Sequence, residues 1–148
     1  MATRKQELGV WGEKLVARSF ACPRCKRYHS LKRLPNNFRC ADVICDFCGY
    51  LAQVKTVSVR NGSTVPKSIL GAAWGPQKKR MAAGVYFPLF IVLRGERTKA
   101  VYYLATEFQH TRMFRRRKPL SQNARRAGWQ GFTYDIGSLP VGAVVKML

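Results

Sequence analysis

Residues 40–56, CADVICDFCGYLAQVKT, carry two kinds of chemistry within one short segment. Cys45-x2-Cys48 completes a longer pattern, Cys22-x2-Cys25-x19-Cys45-x2-Cys48. That spacing suits a four-thiolate zinc site, in which each pair wraps one tetrahedral ion. Four protein ligands leave no open position for substrate, so a zinc here is structural. Buried free cysteines would not account for two such pairs, and a redox dithiol would account for only one of them. Cys40 is left over and is expected to be a packed thiol. His29 has ligand chemistry too, but reads as a solvated loop residue.

The second chemistry belongs to oxygen and nitrogen groups. Asp42 stands eleven residues before Gln53 in a chain with only 7 acidic residues, and Gln53-x-Lys55 follows it. On paired strands, a carboxylate facing Gln53 and Lys55 has the hard oxygen donors that Mg²⁺ selects. A nearby lysine can orient a water for attack on a phosphate. On pattern alone, an aspartate paired with surface arginines explains the same residues, because D…QxK is a common coincidence.

These groups need a scaffold, and the composition provides one. The chain has 148 residues and 47% hydrophobic content, enough for one α/β domain over 1–148 with the zinc site embedded at 22–48. Lys and Arg number 27, giving a net charge of +20. Such a surface attracts polyanions, and phosphate contacts release counterions. A membrane surface is the weaker partner, since no long basic amphipathic helix is evident. The start, MATRKQELGV, has no apolar h-region, and VYFPLFIVL at 85–93 is too short to span a bilayer. A cytoplasmic protein with no membrane partner is expected.

Leu8, Trp11 and Leu15 predict a helix over 7–20, although Gly9 and Gly12 oppose it by roughly 0.8–1.0 kcal/mol each. Residues 22–36 read as a basic loop, and strands are predicted at 38–44 and 50–59 about the Cys45–Gly49 turn. On the second strand Gln53 and Lys55 share one face, about 7 Å apart. A short basic helix is predicted from 76 to a stop at Gly84, followed by strands over 85–93 and 99–105. A helix over 106–114, a basic loop over 115–132 and a final strand over 141–148 complete the reading. Trp11 and Trp74 are expected to be packing residues. His110 carries no role beyond a polar helix position.

Three stretches carry a resemblance. GEKLVARSFACPRC resembles an acid-bearing first helix running into a CPxC knuckle. ADVICDFCGYLAQVK is similar to an A-D-x2-C-x2-C…(E)-x-K segment with the same eleven-residue interval. RKPLSQNARRAGWQG is similar almost residue for residue to K-P-L-S-x2-A-R-R-A-G-W-x-G. Together they resemble the DpnI (Dam-replacing) family of methyl-directed restriction endonucleases, within the PD-(D/E)XK nuclease superfamily, over nearly the whole chain.

The resemblance implies a PD-(D/E)XK core, a central mixed sheet flanked by helices, with a four-cysteine zinc knuckle. It implies that Asp42 is a ligand of Mg²⁺ or Mn²⁺ and that Lys55 stands beside the nucleophilic water. It assigns structural zinc to Cys22, Cys25, Cys45 and Cys48. Glu13 falls where many superfamily members carry a supporting helix acid, and an ordinary surface acid explains it equally well. Gln53 departs from the usual glutamate: its amide oxygen can still ligate, with the Val54 carbonyl and Glu13 compensating. The implied partner is double-stranded DNA, adenine-methylated, most plausibly at GATC. Arg117 and Trp129 are the implied base readers, while Arg116, Arg125, Arg126, Lys78, Lys79 and Arg80 contact the backbone. Family members commonly continue into a winged-helix domain beyond the stretch matched here, so specificity is expected to reside in this domain. The expected activity is a type II restriction endonuclease cleaving at N6-methyladenine. The alternative is a catalytically weakened methyl-DNA or zinc-ribbon nucleic-acid binder.

Overall fold

The computed structural model describes residues 3–36, 38, 41–60, 64–116, 122–123 and 129–148, with backbone alone at 72–75, 116, 129 and 130. Helix α1 (Arg4–Ser19) begins three residues earlier than its apolar pattern predicts, because Thr3 caps it. The Thr3 hydroxyl accepts from the Gln6 N–H, and the Gln6 side-chain oxygen accepts from the Thr3 N–H, a reciprocal capping box. Gly12 does not break this helix but fits it to the sheet. A Cβ at Gly12 would lie 1.8 Å from Thr56 Oγ1, so only glycine lets α1 approach this closely.

Six strands form the main sheet, in the order β1-β2-β3-β5-β6-β9. These are β1 (Leu31–Arg33), β2 (Val43–Cys45), β3 (Leu51–Ser58), β5 (Leu89–Arg94), β6 (Lys99–Leu104) and β9 (Val144–Lys146). Only β3 and β5 run parallel; the other neighbours are antiparallel. The crossover between β3 and β5 contains β4 (Ser68–Trp74) and α2 (Gly75–Ala82). A second, antiparallel sheet joins β4 to β8 (Trp129–Asp135) and β8 to β7 (Phe114–Arg116).

The main sheet is buried on both faces by different partners. Phe90 and Val92 of β5 face α1 and pack with Leu15, Val16, Val43 and Ala52. Leu89, Ile91 and Leu93 alternate to the opposite face, against Ile69, Phe132 and Tyr134 of the second sheet and Met81 of α2. A parallel strand covered on both sides reads as an unbroken apolar run, as VYFPLFIVL does. The strand starts only at Leu89, however, and the Pro88 carbonyl accepts from the Gln53 N–H at its foot.

Several expectations are corrected. Residues 106–114 form two single 3₁₀ turns, Thr106–Phe108 and Thr111–Met113, in place of a helix. Strand β1 lies inside the expected loop 22–36, β4 lies between the strand expected at 50–59 and the helix expected from 76, and β7 and β8 overlap the two ends of the expected loop 115–132. The first hairpin strand is shorter than 38–44, spanning Val43–Cys45. Cys40 lies outside the described residues, and the Trp74 side chain is likewise not described. Trp11 packs partly buried beside the α1 core with the Arg94 guanidinium 4.6 Å over its ring. Among the described residues, no helix is long and apolar enough to cross a membrane.

Candidate active site and cysteine cluster

The β2–β3 hairpin brings the acid, the amide and the lysine together. Its register pairs Val43 with Ala52, with Asp42 just before the first of these residues and Gln53 just after the second. Asp42 lies just before β2 and is tied to both neighbours: its N–H donates to the Ala52 carbonyl at 2.9 Å, and its carbonyl accepts from the Leu34 N–H at 2.9 Å. Val43 and Cys45 are buried under α1, so Asp42 alternates to the face toward which Gln53 and Lys55 project. The carboxylate is anchored there, Oδ2 accepting from the Val54 N–H at 2.7 Å.

The electrostatics are those of a partly desolvated acid cluster. Burial raises the Asp42 carboxyl above its ordinary value, opposed by the Val54 N–H, Lys55 and Arg33. Burial also raises Glu13, and the Asp42 charge adds to the effect while Arg33 counters it. Glu13 Oε1 lies 3.6 Å from Arg33 Nε. Glu13 of α1 and Asp42 of the hairpin therefore feel each other's charge across the sheet edge, with Arg33 and Lys55 as counter-charges. Two mutually repelling carboxylates, an amide oxygen and backbone carbonyls form a donor set that suits a hard divalent cation.

Around Gln53 the wall of the site comes from α2 and the 3₁₀ turns. Gln53 shares a crevice with Gln77 and Arg80 of α2 and with Gln109, whose Nε2 donates to the Phe87 carbonyl at 2.8 Å. Lys78 lines a neighbouring cleft of about 250 Å³ with Phe114, Arg115 and Phe132. Arg115 is held by Asp135 at 2.6 Å. Lys79 is exposed on α2. Trp129 opens β8, its backbone paired with Trp74, and Arg116 closes β7 opposite Phe132. Their side chains are not described, and Arg117, Arg125 and Arg126 lie outside the described residues.

Two residues near Asp42 escape a reading of the sequence. Arg33 sits in a three-residue strand too short to show alternation, and only its register opposite Val43 brings it to Glu13. Tyr134 is buried on β8; burial raises its phenol and the Asp42 charge raises it further. No local pattern links β8 to the hairpin.

The cysteines form a separate centre. The four Sγ atoms of Cys22, Cys25, Cys45 and Cys48 all lie within 4.8 Å of one another. Cys22 and Cys48 are 3.6 Å apart, Cys25 and Cys45 3.7 Å. A tetrahedron with Zn–S bonds of ~2.3 Å has sulfur–sulfur edges of ~3.8 Å, so the cluster fits one zinc ion. Burial pushes the Cys22 thiol well up. In Cys45 the burial also works upward, but Ser30 and the N–H groups of Cys48 and Phe47 outweigh it and bring the thiol below its ordinary range. His29 is exposed and stands outside the cluster. Gly49, at φ 78°, makes the left-handed turn that closes the second knuckle onto β3.

The hairpin thus presents a candidate hydrolytic centre on one face and, at its turn, a cysteine cluster that could hold a metal ion. The profile of a known family, described as DpnI: Dam-replacing family, matches residues 2–148. The chain belongs to the DpnI (Dam-replacing) family.

Proposed function

We propose that the protein is a metal-dependent endonuclease of the PD-(D/E)XK type that cleaves double-stranded DNA at N6-methyladenine, with GATC as the site. Family membership carries DNA binding and nuclease chemistry as its implication. The observation that supports this reading most is the convergence of Asp42, Gln53 and Lys55 on one face of paired strands, with the Asp42 carboxylate fixed by the Val54 N–H. The chain order supports it too: α1, the β1-β2-β3 meander, then a crossover through α2 to parallel β5.

In this reading Asp42, the Gln53 amide oxygen and the Val54 carbonyl hold Mg²⁺ or Mn²⁺, with Glu13 supporting it. Such a cation supplies Lewis acidity toward the phosphate and lowers the pKa of water. Lys55 orients the attacking water and balances the negative charge that grows on phosphorus oxygens. Water adds to phosphorus, one P–O bond breaks, and the departing oxygen takes up a proton. Arg33 holds Glu13 and offsets the charge of the two acids. Arg117 and Trp129 read the methylated site, while Arg116, Arg125, Arg126, Lys78, Lys79 and Arg80 contact phosphates. Zinc on the four cysteines holds the knuckle to the hairpin, and the whole chain works as one endonuclease domain.

A second reading, a methyl-DNA binder with little catalysis, is favoured by one observation: Gln53 brings no negative charge where a carboxylate would. The test is cleavage of one plasmid in adenine-methylated and unmethylated forms, with Mg²⁺ and with Mn²⁺. Cutting of the methylated form alone is expected. Cutting of both would keep the catalytic assignment and remove methyl reading. Methyl-selective binding with no nicking in either metal would establish the binder.

A further inference from the structure

The zinc knuckle carries a feature that the hydrolytic site does not use. Two large aromatic rings stand in solvent at its tip, Tyr28 at 70% exposure and Phe47 at 61%. Single exposed apolar residues are ordinary, but one of these carries a cation on its face and the other follows that cation in the chain. Arg27 precedes Tyr28 in the chain, and its guanidinium lies 3.8 Å over the Phe47 ring.

The tip is rigid. The Cys22 N–H donates to the Arg27 carbonyl at 3.0 Å, and the Lys26 N–H returns to the Cys22 carbonyl at 2.9 Å. The Asp46 N–H ties the second loop to the Ser30 carbonyl at 2.8 Å, and Lys32 Nζ donates to the His29 carbonyl at 3.1 Å. Lys26 and His29 adopt left-handed backbone conformations, φ 64° and 59°, that ordinary side chains rarely take. The metal cluster beneath them holds those turns. A backbone already held in these turns loses little freedom on contact with a ligand.

Its charge selects the ligand. Arg24, Lys26, Arg27 and Lys32 are all exposed on the segment that carries Tyr28, against one acid, Asp46, on the segment that carries Phe47. Cations interleaved with exposed rings suit a duplex backbone, whose phosphates meet the charges and whose sugars meet the aromatic faces. An apolar protein partner would meet four positive charges.

The position selects the segment. Cys45 lies three residues along β2 from Asp42, about 10 Å at strand rise. Phe47 lies two residues farther. With ~3.4 Å per nucleotide along one strand, the tip stands roughly three to five nucleotides from the phosphate at Asp42.

We propose that the knuckle tip, Tyr28, Phe47 and Arg27, is a second DNA-contact site that grips the duplex flanking the cleaved bond. The inference rests on the DNA-binding reading above. Zinc then has a double consequence: it staples the hairpin and presents the flank clamp at a fixed distance from the hydrolytic centre.

The test uses two duplexes with the same methylated site, one with arms of about ten base pairs and one with arms of about three. Binding is measured by anisotropy with EDTA-free buffer and Ca²⁺, across a salt series, with zinc content checked for every variant. Tyr28→Ser/Phe47→Ser is expected to weaken binding to the long duplex about tenfold while leaving the short duplex unchanged. Arg27→Gln, a milder surface change, is expected to lower the log–log salt slope on the long duplex by about 0.9. Zinc-replete variants that bind the long duplex as the unmodified protein does would overturn the proposal. So would equal losses on both duplexes, which would make the tip a support of the catalytic face. If the unmodified protein binds neither duplex, the DNA-binding reading itself fails, a result distinct from either.

Discussion

Gly12→Ala is predicted to destabilise the protein despite improving the helix. In an exposed helix the exchange would gain about 0.8–1.0 kcal/mol. Here the new Cβ would lie 1.8 Å from Thr56 Oγ1, 3.0 Å from Thr56 Cβ and 3.3 Å from Cγ2. Rotating the threonine removes the first contact but leaves a tight approach to its Cβ, so α1 must lift from β3. Overpacking of this kind costs typically 1–3 kcal/mol, which exceeds the helical gain over most of that range. A net loss of about 1 kcal/mol is expected in urea unfolding of the zinc-loaded protein. Glu13 adjoins Gly12, so the lifted helix also draws Glu13 from Arg33 and weakens divalent-metal binding. Thr56 Oγ1 is buried with no hydrogen-bond partner among the described residues, so Thr56→Ala removes a polar group that gains nothing from burial. The double variant Gly12→Ala/Thr56→Ala removes the Oγ1 and Cγ2 contacts but keeps the 3.0 Å approach of Cβ, so it should recover part of the loss. A Gly12→Ala protein as stable as the parent, or one whose loss Thr56→Ala does not relieve, would refute the close-packing account.

Further outcomes follow from the two centres. Gln53→Glu adds a negative charge beside Asp42 and is expected to tighten Mn²⁺ binding at least several-fold, measured by calorimetry; unchanged affinity would remove Gln53 from the ligand set. Asp42 and Glu13 are raised above their unfolded values, so the folded state binds protons more tightly, and metal-free stability falls as pH climbs from the ordinary carboxylate range through the raised values. Asp42→Asn should flatten that pH slope and stabilise the metal-free protein near neutrality, read by unfolding at a series of pH values. Zinc removal by a chelator, or Cys48→Ser, should loosen the knuckle and lower the melting temperature, because zinc-ligand binding energy is folding energy; an unchanged melting curve would dissociate the cluster from the fold.

The hairpin chemistry was legible because it is local. Two CxxC pairs and an eleven-residue interval encode contacts that a tight turn must close, and β3 shows its alternation over eight residues. The helix start escapes the apolar pattern because the capping box at Thr3 and Gln6 lies outside the apolar stripe. The glycine penalty at Gly12 was real but outweighed by an approach to Thr56, 44 positions away, which no periodicity reveals. The second sheet was missed for a similar reason: β4 and β7 are short, punctuated or basic, and gain strand structure only by pairing with β8. Residues 106–114 have polar helix-forming composition, yet the 3₁₀ turns place Met113 in the core and Gln109 on Phe87, contacts that a continuous helix has no reason to make. Arg33 and Tyr134 reached the site only through those long-range pairings.

Hydrolysis of DNA at the face bearing Asp42, Gln53 and Lys55 can be tested on the reaction itself. The most direct measurement is single-turnover cleavage of a methylated duplex by the unmodified protein, Asp42→Asn and Lys55→Ala, each matched for zinc content and DNA affinity. Mg²⁺- or Mn²⁺-dependent cleavage by the unmodified protein is expected, with a loss of at least a hundredfold in rate for each variant and binding retained. Cleavage that persists in zinc-replete Asp42→Asn would contradict hydrolysis at this face, because the chemistry would then reside elsewhere.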